Sequence, residues 1–340
     1  MEMITPDRVR LSVKEANQLC VESLQTVGYE LEQASVIAEH VMDAALCGYE
    51  YSGLPKLLNV FEHKHLHKPR RRMNVVHETS ISAQVDGGNN CGMYTLMRAA
   101  EMAIARAQQH GIGIIGVNNS WVSGRGAIYV ETIAKAGLIG IHTVSSTQHV
   151  APPGAKVAAY GTNPISFAFP TETDPFVIDM GTSAFMSTDL MFRERRKELL
   201  PEAVAIDCNG EPTRDPSAVR LGALLPFGGY KGFALAMAMQ ALGIFAGSGF
   251  DLEKNYGYLM MAMKPDLLIP LSEYRKQLSE TLARIKQTPR QPGIKEIRLP
   301  GERSSGERKK NNLQGIEIDL FIYEALKNVK PSVLAPYSDD

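Results

Sequence analysis

Cysteine is scarce in this sequence, and its spacing speaks against cysteine-based sites. The four cysteines, at positions 20, 47, 91 and 208, are scattered over 340 residues, and none forms a CxxC pair. This distribution argues against a disulfide framework and against a zinc site. We therefore expect reduced thiols in or near the core and no bound metal.

Net charge and long apolar runs are also lacking. The 36 Lys and Arg residues balance the 37 Asp and Glu residues to a net charge of -1, so we expect neither nucleic acid nor a membrane as partner. No window reaches the ~18 uninterrupted apolar residues of a spanning helix, and residues 1–20 carry charges where a signal peptide needs an apolar core. We expect a cytoplasmic protein, whose 44% hydrophobic residues suffice for one large or two medium domains.

The apolar pattern predicts a helical beginning followed by a mixed sheet. From Ser12 to about His63, apolar residues recur at spacings of three and four, which predicts two or three amphipathic helices and no strand. After a helix at 95–110, short β-rich runs are separated by Gly, Pro and Asn turns. Only some of these strands precede a helix of useful length, an order that favours a mixed α/β sheet over a regular doubly wound parallel one.

One glycine pattern matches the dinucleotide fingerprint by letter. Gly111, Gly113 and Gly116 spell GxGxxG, but the fingerprint needs a strand before the glycines and a helix beginning at them. Here a predicted helix precedes the glycines, and isoleucines lie between them. An ordinary glycine-containing strand is therefore favoured over a Rossmann turn.

Three alternating histidines follow the predicted helices. A strand would place His63, His65 and His67 on one face, whereas a helix would place only the first and third together. A metal site needs convergent ligands with supporting partners, and the neighbours here are Lys and Arg. The pattern favours a solvated helix end and a basic loop.

Several polar residues stand where an anionic ligand could bind. Lys231 lies in the turn FGGYKG before a long apolar helix, so it is either a ligand of an anion or a surface lysine. Arg303 and Arg308, with serines at 304 and 305, form either a phosphate-binding set on a Gly-rich loop or a solvated loop. Asp179 ends an apolar strand and Thr162 stands in the turn YGTNP, where each is a turn-capping group or a ligand.

Long stretches of the chain resemble the malate/L-lactate dehydrogenase superfamily. They include GALLPFGGYKGFALAMAMQ (222–240), VDGGNNCGMYTLMRAAEMAIARAQQHGIGIIGV (85–117), APPGAKVAAYGTNPISFAFP (151–170), FVIDMGTSA and IRLPGER (297–303). These are non-Rossmann nicotinamide enzymes, among them sulfolactate dehydrogenase and reductases of Δ1-piperideine-2-carboxylate and Δ1-pyrroline-2-carboxylate. The resemblance implies an α/β fold with a mixed, largely antiparallel sheet and a helical N-terminal region, a homodimer, and NAD or NADP as cofactor. It further implies a helical domain for substrate and dimerisation (1–118 and 305–340) and an NAD(P)-binding domain (119–304).

The same resemblance implies roles for individual residues. Thr162 matches a threonine that contacts the substrate carboxyl group, and Asp189 matches the aspartate that completes the proton relay of the imino-acid reductases. The residues implied to line the cofactor site are Val122, Ser123, Gly124, Arg125, Gly126, Asp179, Met180, Gly181, Ser187, Thr188, Tyr230, Lys231, Arg303, Ser304 and Arg308.

The catalytic pair departs from the family pattern. In CGYEYSGLPK, aligned through its two glycines, Tyr51 stands in place of the family serine, Ser52 in place of the proton-donating histidine and Lys56 in place of the carboxylate-binding arginine. A second family histidine, beside the nicotinamide, falls on Val122. Both imidazoles of the family pattern are therefore missing.

The missing imidazoles bear on the substrate. A ketone needs a general acid tuned near neutral pH, whereas a protonated imine brings its own proton. Ser52 is a poor acid, and Tyr51 is a more credible one if a cation such as Lys56 lowers the phenol pKa from its usual ~10. We expect an NAD(P)H-dependent reductase of a 2-imino or 2-keto carboxylate, and we favour an imine as the substrate. The residues expected to be catalytic are Tyr51, Ser52 and Asp189. Those expected to bind the substrate are Lys56 and Thr162. The alternative is a diverged member that binds the dinucleotide but runs a different reaction or has a regulatory role.

Overall fold

The computed structural model describes residues 1–249 and 256–331 together with Leu334 and Tyr337. Its helices are α1 (Val13–Val27), α2 (Leu31–Leu46), α3 (Pro55–Phe61), α4 (Gly92–His110), α5 (Ala127–Lys135), α6 (Ser187–Arg196), α7 (Pro216–Val219), α8 (Tyr230–Phe245), α9 (Leu271–Lys286), α10 (Glu302–Gln314) and α11 (Leu320–Lys327). Its strands are β1 (Glu2–Thr5), β2 (Arg8–Leu11), β3 (Asn74–Glu78), β4 (Ser82–Cys91), β5 (Ile112–Trp121), β6 (Ile139–Ser145), β7 (Ile165–Phe169), β8 (Phe176–Met180), β9 (Ala205–Ile206), β10 (Ala223–Leu224), β11 (Gly257–Met263) and β12 (Ile316–Asp319).

The predicted N-terminal helices form where their end signals stand. Helix α1 begins after Ser12, whose hydroxyl accepts the amide hydrogen of Glu15 at 3.2 Å while the Glu15 carboxylate accepts the Ser12 amide hydrogen at 2.9 Å. This reciprocal capping satisfies two amide groups that a helix start leaves free. The helix ends at Gly28, whose φ of 111° is costly for residues with a side chain. The prediction of two or three helices in this region is confirmed by α1, α2 and α3.

The largest sheet has seven strands in the order β3-β4-β5-β11-β6-β7-β8. Neighbouring strands are antiparallel throughout this sheet except for β4 and β5, which are parallel. The parallel pair is connected by α4, as a crossover between parallel strands requires. The predicted mixed, largely antiparallel sheet is therefore confirmed.

The GxGxxG pattern lies in a strand, as predicted. Gly111 ends α4 with a φ of 88°, and β5 continues from Ile112 between β4 and β11. A Cβ atom at Gly113 would lie 2.2 Å from the carbonyl oxygen of Ala103 in α4. These glycines therefore let a helix end sharply and pack closely against a strand, without forming a phosphate-binding turn.

A small sheet with the order β1-β2-β12 joins the two ends of the chain. The N-terminal strands were not predicted, because four-residue strands are too short to show a period. The division into domains 1–118 with 305–340 and 119–304 stays a prediction. Strands β3 and β4 of the first predicted domain belong to the seven-stranded sheet, and β5 crosses the predicted boundary between 118 and 119. Residues 332–333, 335–336 and 338–340 lie outside the described part of the chain.

Two apolar clusters form most of the core. One packs α1, α2, α3 and α11 with strands β2 and β12, and the other packs α4 and α5 against the seven-stranded sheet. The cysteines at 20, 47 and 91 are buried and the one at 208 is exposed; all four are free thiols. Within the described ranges, no helix has the length and hydropathy needed to cross a bilayer.

Candidate active site

The segment 47–56, in which the family resemblance implies an altered catalytic motif, is held against α2. A 3-10 turn covers Glu50–Ser52, and a Cβ atom at Gly53 would lie only 2.8 Å from the Cβ atom of Ala45 in α2. Helix α3 then begins at Pro55, whose ring suits a first helical position. This geometry places Lys56 in the first turn of α3, directed towards the first turn of α6.

Lys56 makes a hydrogen bond but no ion pair. Its Nζ atom donates to the hydroxyl of Thr188 at 3.0 Å, across 132 positions of sequence. None of the described residues places a carboxylate within 4.0 Å of this ammonium group. Burial lowers the pKa of Lys56 to about 8. A partly buried ammonium without a counter-charge is uncommon and attracts an anionic ligand.

The surroundings of Tyr51 raise the pKa of its phenol, whereas the hypothesis from the sequence is that a cation lowers it. Burial, followed by the nearby Tyr49, Asp189 and Asp179, raises the pKa of the phenol to about 12. The hypothesis that Lys56 lowers this pKa is wrong, because burial and the nearby carboxylates outweigh Arg303, the cation that opposes them. Tyr51 therefore remains protonated at neutral pH and is suited to hydrogen bonding rather than to proton transfer.

The first turn of α6 brings three predicted site residues next to the segment of Tyr51 and Lys56, and we call this group of residues the Lys56 site. Ser187 begins the helix, Thr188 accepts from Lys56, and Asp189 lies 3.5 Å from the Nε atom of Arg193. Burial raises the pKa of Asp189, although Arg193 opposes the effect. Ser52 is partly buried on the adjoining 3-10 turn. The structure therefore brings the segment of Tyr51 and Lys56 together with the start of α6, and 132 positions separate Lys56 from Thr188.

The predicted nicotinamide turn at 122–126 packs on a histidine that sequence reasoning missed. His40 of α2 is buried, and its Nε2 atom accepts the amide hydrogen of Arg125 at 2.8 Å. Burial, followed by the charge of Arg125, lowers the pKa of His40 to about 3, so the imidazole is neutral. Gly124 has a φ of 68°, and a Cβ atom there would lie 2.1 Å from the same Nε2 atom. The sequence signal was a single histidine on the buried face of an amphipathic helix.

Val122, Ser123 and Gly126 complete this turn. Val122 has a φ of 54°, an uncommon conformation for a β-branched residue. The carbonyl oxygen of Ser123 accepts from the hydroxyl of Tyr129 at 2.6 Å. A Cβ atom at Gly126 would lie 2.2 Å from the Oγ atom of Ser166, so only glycine fits against the sheet there. The turn is thus held by contacts with α2, α5 and β7.

Two of the three arginines considered for cofactor recognition are engaged in internal ion pairs. Arg125 bonds to Asp43 at 2.8 Å, and Arg308 bonds to Asp43 at 2.8 Å and to both oxygens of Glu131 at 2.6 and 2.7 Å. Burial alone would raise the pKa of Glu131, but hydrogen bonds from Arg308 and Lys135 lower it to about 2. Arg125 and Arg308 therefore tie α2, α5 and α10 together.

Arg303 differs from these two arginines. Its guanidinium lies 4.5 Å from the centre of the Tyr49 ring, and the guanidinium of Arg125 lies 4.8 Å from the same ring centre. No described carboxylate pairs with Arg303, and it lines a cavity of about 690 Å³ between α9, α10 and the turn before β8. The expected Gly-rich loop is instead helix α10, because Gly301, at a φ of 82°, caps a helix start. Ser304 is buried on that helix and shares a hydrogen bond of 3.0 Å with Tyr49.

The end of strand β8 lies beside the 122–126 turn. The two carboxylate oxygens of Asp179 accept from the Ser166 hydroxyl at 2.7 Å and from the Ala127 amide at 3.1 Å. Met180 follows with 38% of its surface exposed, and then Gly181. The carbonyl oxygen of Thr162 accepts from the amide of Thr182 at 2.9 Å, which places Thr162 next to this strand end.

The FGGYK turn opens to solvent close to that strand end. The amide of Phe227 donates to the carbonyl oxygen of Thr182 at 3.1 Å. Gly228 and Gly229 have φ values of 54° and 62°, and a Cβ atom at either would meet nothing within 4 Å. Tyr230 and Lys231 are exposed at the first turn of α8. A glycine turn with open space, a helix start and a cation without a described carboxylate partner fit the phosphates of a dinucleotide.

The three alternating histidines are less solvated than predicted. They do follow a helix end, but the ring of His63 stacks on Trp121 with 4.6 Å between centroids. Burial lowers the pKa of His63 to about 4. His65 shares a hydrogen bond of 2.9 Å with Asn89, while His67 is exposed. In the described part of the chain, no group of three or more His, Cys, Asp or Glu residues is arranged to hold a metal ion.

Comparison with known proteins extends the resemblance along the chain. The family model for malate/L-lactate dehydrogenase matches residues 11–327. The malate/(S)-sulfolactate dehydrogenase of Methanothermus fervidus is 30% identical over 94% of this chain and 96% of its own length. The Delta(1)-pyrroline-2-carboxylate/Delta(1)-piperideine-2-carboxylate reductase of Pseudomonas putida is 33% identical over 72% of this chain and 74% of its own length. The crystal structure of delta1-piperideine-2-carboxylate reductase from Pseudomonas syringae pvar. tomato matches with a TM-score of 0.83 at 28% identity, over 94% of this chain and 99% of that one.

Proposed function

Because the chain belongs to the malate/L-lactate dehydrogenase family, we propose that it reduces a 2-imino or 2-keto carboxylate with a nicotinamide cofactor. Its relatives are dehydrogenases and reductases of small carboxylates. The observation that carries the proposal is the uncompensated ammonium of Lys56 beside the start of α6. A partly buried cation of this kind favours a substrate that brings its own negative charge.

The imine is the substrate class that we favour. Reduction of a ketone produces an alkoxide that needs a proton from the protein, whereas a protonated imine already carries one. Neither Ser52 nor Tyr51 is a good acid at neutral pH, since a hydroxyl needs a positioned base and the phenol pKa is raised to about 12. The similarity to a pyrroline and piperideine carboxylate reductase supports the same choice. Thr162, buried next to the strand end, is the residue that we assign to the carboxyl group.

The cofactor assignment rests on the free cations and the open glycine turn. Lys231 and Arg303 would hold phosphate groups, and the backbone of the FGGYK turn would approach them closely. Val122 to Gly126, Asp179 to Gly181 and Tyr230 would line the rest of the site. When bound, the cofactor supplies the hydride. Arg303 is also the residue that we assign to a ribose 2′-phosphate, if NADP is the cofactor, because Arg125 and Arg308 have other partners.

We also propose a homodimer formed through α8. The outer face of this helix exposes Ala234, Ala238 and Ala241, followed by Ile244 at 48% and Phe245 at 68% exposure. A row of small residues ending in an exposed aromatic side chain allows close packing against a second copy. Light scattering should show a dimer for the wild type and a monomer for Phe245→Glu. A monomeric wild type would contradict this part of the proposal.

The test of the function is NADH and NADPH oxidation against cyclic imino acids and linear 2-keto acids, with direct cofactor binding measured on the same sample. We expect turnover of cyclic imines at a higher kcat/KM than of 2-keto acids. Turnover of ketones alone would contradict the imine assignment. Tight cofactor binding without turnover across the panel would favour a binding protein, and no cofactor binding at all would overturn the proposal.

A further inference from the structure

Among the described residues, the ammonium of Lys56 has a hydrogen-bond partner but no carboxylate partner. Thr188 accepts one of its three N–H bonds, which leaves two for a ligand. No imidazole stands in the family motif or on the 122–126 turn. We propose that Lys56 donates the proton to the substrate heteroatom, in addition to attracting the carboxylate. This inference rests on the function proposed above and names a chemical step within it.

The other titratable side chains near Lys56 are less suitable proton donors. The phenol of Tyr51 is held protonated by burial and by the nearby carboxylates of Asp179 and Asp189. Asp189 itself pairs with Arg193. The Nε2 atom of His40 already accepts the Arg125 amide hydrogen, and this imidazole is buried in the core. Lys56 is thus the group that combines a position beside the start of α6, an orientation set by its bond to Thr188, and unengaged protons.

The groups around Lys56 keep its proton exchangeable near neutral pH. Burial lowers its pKa to about 8, in the range to which enzymes tune catalytic lysines. His40 of α2 and His63 after α3 face it as neutral rings, and the charge of Lys56 contributes to their own low pKa values. Cys91, at the start of α4, is a buried thiol whose pKa is raised to about 12, so it carries no opposing charge. Thr188 of α6 is uncharged.

The step balances as a two-electron reduction. The hydride that adds to the carbonyl or imine carbon would come from the dihydronicotinamide of the proposed function, which would be oxidised. The π-electron pair moves to the oxygen or nitrogen, one N–H bond of Lys56 breaks, and the new O–H or N–H bond forms there. Lys56 is left as a neutral amine and takes a proton from solvent before the next turnover. An imine that enters already protonated bypasses the lysine, so the effect should be larger on ketones and on unprotonated imines.

The first experiment compares Lys56→Arg with the wild type. Arginine keeps the positive charge that attracts the carboxylate but does not release its proton in this pH range. If Lys56 is the proton donor, the variant should keep KM within about threefold and lose about 100-fold or more in kcat on a 2-keto acid. The wild-type kcat/KM should fall above about pH 8, where the ammonium loses its proton, and this limb should disappear in the variant. A small primary amine should partly restore the rate of Lys56→Ala.

A second measurement does not depend on turnover or on a variant that folds. Labelling of the wild type with a small amine-reactive reagent, read by mass spectrometry across pH, reports when Lys56 becomes a free amine. Half-maximal reactivity is expected near pH 8 for Lys56, with the exposed Lys14 of α1 as internal control. If the reactivity of Lys56 reaches half its maximum only well above pH 8, the proton-donor role is overturned.

The outcomes separate this role from the proposed function. If the wild type turns over substrate and Lys56→Arg keeps kcat within about threefold, the lysine is an anchor only and the proton-donor role is wrong. If Lys56→Arg raises KM while kcat is kept, the same conclusion holds. If the wild type turns over no imine or 2-keto acid, the proposed function and this role are overturned together.

Discussion

Replacement of Arg308 by leucine should destabilise the protein without weakening cofactor binding. Arg308 lies in the α10 segment that the family resemblance assigns to the cofactor, but its donors reach Glu131 and Asp43. The side chains of Glu131 and Asp43 are only 10% and 15% exposed, so the variant leaves two poorly solvated carboxylates with fewer partners. Breaking a buried ion pair from one side is strongly destabilising.

The expected loss of stability follows from the pKa shift of Glu131. A carboxyl group whose pKa falls from 4.5 to about 2 on folding stabilises the folded state by about 3 kcal/mol when it is ionised. Lys135 supplies part of this, and Arg308 also loses its bond to Asp43 in the variant, so we expect a net loss of about 3 kcal/mol. The pKa is lowered in the folded state, so this stability is fully present above about pH 4.5 and is lost as the pH falls from 4.5 towards 2.

The assay is urea unfolding at pH 7 and at steps down to about pH 3, with NADPH and NADH binding measured at pH 7. Arg303→Leu is the matched control, because it lies on the same helix but stacks on Tyr49 without a described carboxylate partner. Arg303→Leu should lose cofactor affinity and little stability, and Arg308→Leu the reverse. If Arg308→Leu unfolds like the wild type at pH 7 but binds the cofactor 10-fold more weakly, the ion-pair interpretation is refuted.

Three further substitutions test the site. Gly124→Ala should cost about 2 kcal/mol or more and abolish cofactor binding, because φ is 68° and the new Cβ would meet Nε2 of His40 at 2.1 Å; unchanged thermal unfolding and binding would contradict this. Tyr51→Phe should keep kcat within about threefold at pH 7, since a phenol of pKa about 12 is a weak proton donor; a loss of 100-fold would make Tyr51 the acid instead. Lys231→Met should weaken NADPH binding about 10-fold at unchanged unfolding temperature, because this exposed lysine supports no described ion pair; calorimetry showing equal affinity would remove it from the site.

Features that depend on near neighbours in the chain were predictable from the sequence. The helices at 13–27 and 31–46, the strand reading of GxGxxG and the position of Asp179 at a strand end all follow from periodicity and from turn residues a few positions away. The mixed sheet followed from the order of strands and helices. The four-residue strands β1 and β2 and the helical form of the 302–314 segment were missed, because the local pattern there is short or polar.

The family motifs also identified which segments would meet, since the glycine turn, the end of β8 and the 122–126 turn adjoin one another in the fold. Local sequence could not tell which cations would remain free. Arg303 and Arg308 are the same residue type five positions apart, yet of these two only Arg308 bonds to Glu131 and Asp43. Those partners lie 177 and 265 positions away.

The proton chemistry was decided by the tertiary structure alone. The pKa of a side chain depends on how much water it loses and on which charges surround it, and both depend on segments distant in sequence. Tyr51 is partly buried near Asp179 and Asp189, and Lys56 is partly buried and donates to the uncharged Thr188 on α6. The sequence by itself determined the family, the sheet and the residues that could act; folding decided that the lysine rather than the tyrosine has a pKa near neutrality, because burial without a counter-charge destabilises an ammonium and a phenolate alike.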